Sequence, residues 1–166
     1  TKYKDLMIEE NKKINWKPKS TGEGRFQNWL ENINDWNLSR SRFWGIPLPI
    51  WKSRDSNHVR CVGSVEELKG LCELSVQRGL METNPLENFI PQNMEEKNYS
   101  LFDLHKNFVD EIVLCGPDGQ PMFREEDVID VWFDSGAMPF AQWHYPFENK
   151  KLIDSRLFFP ADFIAE

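Results

Sequence analysis

The chain has 166 residues, which suits one domain or one domain carrying an insertion. Hydrophobic residues make up 40 % and charged residues 28 %, a balance that folds rather than staying disordered. A net charge of −7 argues against a dedicated nucleic-acid module, and the lack of any run of eighteen apolar residues rules out a membrane-spanning helix. The charge is uneven. Residues 1–60 hold twelve Lys/Arg against seven Asp/Glu and residues 61–166 hold eight against twenty, so a polyanion would prefer the first third. Cys61, Cys72 and Cys115 are scattered and odd in number, with no CxxC, so neither a disulfide framework nor a zinc site is expected. Free thiols fit a reducing cytoplasm.

In chain order, Tyr3 to Lys13 reads as a short helix with Tyr3, Leu6, Met7 and Ile14 on one face. "NWKPKSTGEG" reads as a loop, and Arg25 to Ile33 as a second helix with an apolar stripe at Phe26, Trp29, Leu30 and Ile33. Pro47 and Pro49 forbid a helix in "SRSRFWGIPLPIW" and leave an edge or irregular extended segment. Leu48 to Lys52 and His58 to Val62 are spaced to pair as a hairpin. Ser64 and Glu67 form a capping box that opens a helix running to about Arg78 and stopping at Gly79.

Residues 79–100 are polar and irregular, and a mobile excursion is expected there. "CGPDGQ" is a strong turn between Glu111–Leu114 and Pro121–Arg124, a second hairpin. Val128 to Phe133 reads as a central buried strand, with Asp134 and Ser135 capping a following helix and Gly136 easing the turn. Helical turns are expected over Ala137–His144 and a weak helix over Leu152–Leu157. Ala161–Ala165 reads as the start of another buried strand. Phe140, Trp143, Tyr145 and Phe147 are expected to be packing residues that pin their loop. No Met opens the chain and "ADFIAE" ends on no helix stop, so both ends read as cuts in a longer protein.

The ends, roughly 24–50 and 126–166, thus bracket a middle of different texture, as insertions in α/β nucleotide-binding folds do. In open α/β sheets ligands sit beyond the carboxyl ends of strands, where this reading puts Trp132 and Glu166.

Four blocks carry a resemblance: Asn28 to Trp51, Asp103 to Ile112, Arg124 to Asn149 and Phe159 to Glu166. In this order and spacing they resemble class I isoleucyl-tRNA synthetases. The "W…SR.R.WG.P" block is shared by valyl and leucyl relatives, whereas "DVWFDSGAMP" and "ADFIAE" are more particular to the isoleucyl enzymes. The resemblance implies an α/β chain, mixed in this fragment, that is part of a Rossmann-like catalytic domain interrupted by a small connective insertion. Residues 1–50 would return from an editing domain, 51–125 would form the connective insertion, and 126–166 would re-enter the catalytic sheet. It implies isoleucine, ATP with Mg2+ and tRNA(Ile) as partners of the parent, in a cytoplasmic monomer with no membrane attachment.

By the same resemblance Trp132 lines the isoleucine side-chain pocket and Glu166 contacts the aminoacyl-adenylate. No HIGH-type or KMSKS-type motif is present, so no catalytic residue, bound cofactor or metal is expected in this fragment, and it should be inactive alone. Arg40, Arg42 and Trp44 mix cations with rings, which suits RNA contact or a cation–π domain junction. His105 and His144 lack metal partners at ligand spacing and read as hydrogen-bonded structural histidines. The acidic run over 111–130 reads as a solvated face. A non-catalytic aromatic-rich interaction domain, and a fragment of the valyl or leucyl relative, remain the alternatives.

Overall fold

The computed structural model describes residues 2–163. The chain forms two compact units, 1–37 and 38–166. In the first unit α1 spans Lys4–Asn11. A π-helical stretch, Thr21–Phe26, then runs directly into α2, Gln27–Glu31. The helical backbone therefore starts well before the predicted Arg25. Gly22 explains this, because it sits under the Trp16 indole where a Cβ would lie 2.0 Å from the ring. Asn11 ties the two layers: it donates to the Gly22 carbonyl at 3.2 Å and to Gln27 at 3.0 Å, and accepts from Trp16 Nε1 at 2.8 Å. The expected apolar face of α1 is not what is buried. Tyr3, Leu6 and Ile14 are exposed, and Asn11 is inside.

In the second unit β1 (Ser39–Arg40) pairs antiparallel with β6 (Val128–Ile129). A four-stranded antiparallel sheet has the order β3-β2-β5-β4, from β2 (Ile50–Ser53), β3 (Val59–Cys61), β4 (Leu114–Cys115) and β5 (Pro121–Arg124). Both predicted hairpins are therefore present, within a mixed α/β architecture. Helix α3 (Val65–Gln77) begins as its capping box dictates. Ser64 accepts from the Glu67 amide at 3.1 Å, and Glu67 reaches back to the Gly63 amide at 2.8 Å. Gly79 ends it at φ +74°. Leu68, Leu71, Cys72 and Ser75 form its buried stripe at i, i+3, i+4 and i+7.

That stripe packs into a core with Trp51, Val62, Leu86, Phe89, Val109, Ile112, Leu114 and Met122. Each large apolar side chain here contributes roughly 1.5–3 kcal/mol by leaving water. The indole of Trp51 is also satisfied, donating to the Ile112 carbonyl at 2.9 Å. Cys72 is fully buried, and burial pushes its thiol up to about 11, which keeps it an unreactive apolar group.

Residues 79–100 are irregular but are not the expected loose excursion. Leu86 and Phe89 anchor them in the core, and α4 (Glu96–Tyr99) supplies Asn98. Asn98 donates to the carbonyls of Ile90 (2.9 Å) and Asn93 (2.7 Å) and accepts from the Ile90 amide. Amide side chains thus replace the missing backbone ladder. Lys69 and Asn84 stitch the same segment to α3. Helix α5 (Lys106–Val109) leads back to β4.

The predicted strand Val128–Phe133 is corrected. Only Val128 and Ile129 are strand, and α6 occupies Val131–Gly136. The cause is Asp130, whose carboxylate accepts from the Trp132 amide and stops the strand by capping a helix. Asp134, Ser135 and Gly136 consequently lie inside α6 and do not cap its successor α7, Met138–Ala141. Helix α8 is Lys150–Asp154, slightly ahead of the predicted Leu152–Leu157. Phe140 meets Tyr145 at 5.7 Å and Phe159 at 4.7 Å between ring centroids, Trp143 meets Phe158 at 4.7 Å and Phe147 meets His144 at 5.4 Å, so these rings do pack, mostly on residues outside the group. Ala161 to Phe163 are exposed and not in a strand, and the remainder of that predicted strand lies outside the described residues. Among the described residues, no helix is long and apolar enough to cross a membrane.

Arg124, at the end of β5, is the most buried cation, with its side chain 1 % exposed. It donates to the carbonyls of Leu48 (3.2 Å), Asp127 (3.0 Å) and Glu126 (3.2 Å) and pairs with Asp110. Burial pushes the Asp110 carboxyl up, but hydrogen bonds from Arg124 and Lys106 outweigh this and hold it below the ordinary aspartate value. A depressed folded value makes the pair stabilising above the unfolded aspartate pKa of about 3.9 and weakening as pH falls through the folded value. Arg124→Ala is expected to cost about 3 kcal/mol or more, since it strands buried carbonyls. Asp110→Asn is expected to flatten the acid limb of stability. Urea midpoints taken between about pH 6 and pH 3 check both.

Candidate functional site

The β1–β6 pair builds one wall of a cleft. Ser39 faces Ile129 and Arg40 faces Val128, which joins segments 90 residues apart. The ladder continues through the Asp130 amide to the Leu38 carbonyl at 2.8 Å and the Ile129 amide to the Ile46 carbonyl at 2.7 Å. Val128 is fully buried and lies against Gly45. The φ of +146° favours glycine there, and a Cβ on residue 45 would also stand 3.0 Å from a Val128 methyl, tighter than ordinary contact.

The cleft encloses about 830 Å³ between residues 40–47, the 99–105 turn and the start of α6. Arg42, Trp44, Asp103, His105, Val131 and Asp134 are among its lining side chains. Trp44 is 75 % exposed and stacks on His105, with centroids 5.6 Å apart and planes at 27°. His105 is held in turn by Asp103, whose carboxylate accepts its backbone amide at 2.7 Å and lies 2.6 Å from Nδ1. The hydrogen bond from the His105 amide holds the Asp103 carboxyl below its ordinary value, against burial, which pushes it up.

The predicted site residues separate. Arg40 is committed to an ion pair with Asp130 and also donates to the Ser39 carbonyl at 2.8 Å, so it closes the wall. Arg42 and Trp44 both line the cleft. Trp132 does not stand at a strand end: it is the second residue of α6, 65 % exposed, beside Val131 and Asp134, which do line the cleft. Glu166 lies outside the described residues. His144 pairs with Glu148 at 3.0 Å and meets the ring of Tyr99, but is not itself among the cleft's lining residues. Within the acidic run, Asp130 is buried and Glu125 is paired with Lys52, so that face is only partly solvated. Among the described residues no three His, Cys, Asp or Glu side chains are grouped to hold a metal ion.

Sequence reasoning missed Asp130, Asp103 and the stacking role of His105. Asp130 had a local signal, a lone carboxylate inside an apolar run, which is a helix-start signature. The Trp44–His105 contact had none, because it joins distant segments.

The chain matches, over residues 1–166, the family model of tRNA synthetases class I (I, L, M and V), and it belongs to that family. Family membership removes the stand-alone interaction domain as a reading. The chain is 60 % identical over its full length to the isoleucine–tRNA ligase of Bacteroides fragilis and to that of Porphyromonas gingivalis. It is 46 % identical to the isoleucine–tRNA ligase of Clostridium acetobutylicum. It spans about 15 % of the length of the first two and 14 % of the third.

The Gly45–Val128 contact gives a direct test of the wall. Gly45→Ala is expected to cost about 1–3 kcal/mol, because it adds both backbone strain and a clash. Gly70→Ala, in the open middle of α3, is expected to be neutral or to stabilise by up to about 1 kcal/mol. Paired urea denaturation curves compare the two.

Proposed function

We propose that the chain is a segment of an isoleucine–tRNA ligase. The whole enzyme joins the isoleucine carboxylate to the α-phosphorus of ATP, releasing pyrophosphate. It then passes the acyl group to the terminal adenosine of tRNA(Ile), releasing AMP. Mg2+ accompanies the ATP, and the setting is the cytoplasm, with the enzyme acting as a monomer. The observation that carries the reading is the β1–β6 pair, which unites the "SRSRFWG" and "VIDVWFDSG" blocks in one cleft wall. The identity to isoleucine–tRNA ligases favours the isoleucyl reading over the valyl and leucyl ones.

In this reading residues 1–50 return from the editing domain, 51–125 form the connective insertion and 126–166 rejoin the catalytic sheet. The core supports the middle boundary, since its members run from Trp51 to Met122. The segment supplies pocket and scaffold, and the phosphate-handling chemistry comes from elsewhere in the enzyme. Trp132 offers an open indole that serves as a wall for the aliphatic side chain of isoleucine, and Glu166 contacts the adenylate. Arg42 and Trp44 contact nucleic acid, while Arg40 holds the junction through Asp130. An apolar wall separates isoleucine from valine by only about 1–3 kcal/mol, so an enzyme of this kind also needs an editing step.

Isoleucine-dependent ATP–pyrophosphate exchange by the full-length enzyme tests the pocket. Trp132→Ala is expected to raise the isoleucine KM and to shrink the preference over valine, with a folded protein. An unchanged preference would mean that Trp132 only packs.

A further inference from the structure

We propose that the Asp103–His105 pair is a positioning device that holds the Trp44 indole as a stacking platform for a nucleobase. This rests on the reading of Arg42 and Trp44 as a nucleic-acid or nucleotide contact. The backbone at Trp44 is set by Gly45, whose φ of +146° and contact with buried Val128 leave little freedom. The side chain is set by His105, which stacks on the ring at 5.6 Å. His105 is itself fixed twice by one carboxylate oxygen, through its amide at 2.7 Å and its Nδ1 at 2.6 Å. An exposed indole would otherwise sample several rotamers, and ordering it before a ligand arrives removes that entropic cost from binding.

The indole stays 75 % exposed despite the stack, which leaves a broad aromatic surface open. Arg42 also lines the cleft, where Asp103, Asp130 and Asp134 supply the negative charges and Arg40 is held by Asp130. An open aromatic face in a cleft that a guanidinium also lines suits a planar base carrying a phosphate. The base is that of ATP or of the tRNA terminus, two sources of one chemistry.

The test uses the full-length ligase with Trp44→Ala, His105→Ala, His105→Phe and the Trp44→Ala/His105→Ala double variant. KM for ATP and isoleucine is read in pyrophosphate exchange, and KM for tRNA in aminoacylation. Trp44→Ala and His105→Ala are each expected to raise one nucleotide KM about 3- to 10-fold with kcat little changed. His105→Phe keeps a ring on Trp44 but loses the Asp103–Nδ1 contact, and is expected to recover only part of the loss. The double variant is expected to be no worse than Trp44→Ala, because the two residues act as one unit. A rise in the ATP KM assigns the base of ATP. A rise in the tRNA KM with exchange unaltered assigns the tRNA terminus. If Trp44→Ala changes neither nucleotide KM, the nucleotide reading of the cleft fails and takes the proposal with it. If Trp44→Ala acts but His105→Ala does not, or if the two effects simply add, the positioning role alone is overturned.

Discussion

The buried guanidinium of Arg124 holds three carbonyls and one carboxylate that belong to separate stretches of chain. It sits at the end of β5, where the four-stranded sheet stops and the chain turns toward the cleft. Leu48 on one side and Glu126 and Asp127 on the other are fastened to the same group. Beyond those anchors the two stretches stay in register: the Leu48 amide donates to Asp127, the Ile129 amide to Ile46 and the Asp130 amide to Leu38. The cleft wall is therefore an extension of the clamp. A buried charge left without its partners costs more than the pair contributes, so the arrangement holds as a unit or fails as one.

Core and cleft have different physical origins. The core is an ordinary burial problem, solved by the α3 stripe against the sheet and by Leu86 and Phe89 from an irregular segment. The cleft is built from polar anchors. Asp130 accepts the ion pair of Arg40 and caps α6, so one carboxylate sets both the end of β6 and the direction of the helix bearing Trp132. That economy fits a binding surface, where side chains must be aimed rather than hidden. Phe43, Trp44, Trp132 and Phe133 are exposed in a chain that covers about 15 % of the length of its relatives.

Legibility in the sequence followed the range of the controlling interaction. The Ser64–Glu67 box, the Gly79 stop and the "CGPDGQ" hairpin depend on residues a few positions apart, and all three were readable. The run Val128–Phe133 misled because apolar content alone suggested a strand, while a single cap at Asp130 decided for a helix. The 79–100 segment misled for the opposite reason. Its polar Asn side chains are structural, substituting for ladder bonds, and polarity was read as looseness. At the site, Arg42 and Trp44 stood out in the sequence as a cation and a ring close together, and both line the cleft. The commitment of Arg40 to Asp130 was not readable, since its partner lies 90 residues away.

The most direct measurement is hydrogen–deuterium exchange of Arg124→Gln beside the unaltered chain. If the clamp governs the wall, the Ile129 and Asp130 amides lose protection by at least about tenfold while the α3 amides at Leu71 and Cys72 keep theirs. If Ile129 and Asp130 stay protected, or if α3 loses protection to the same degree, the wall does not depend on the clamp in the way described.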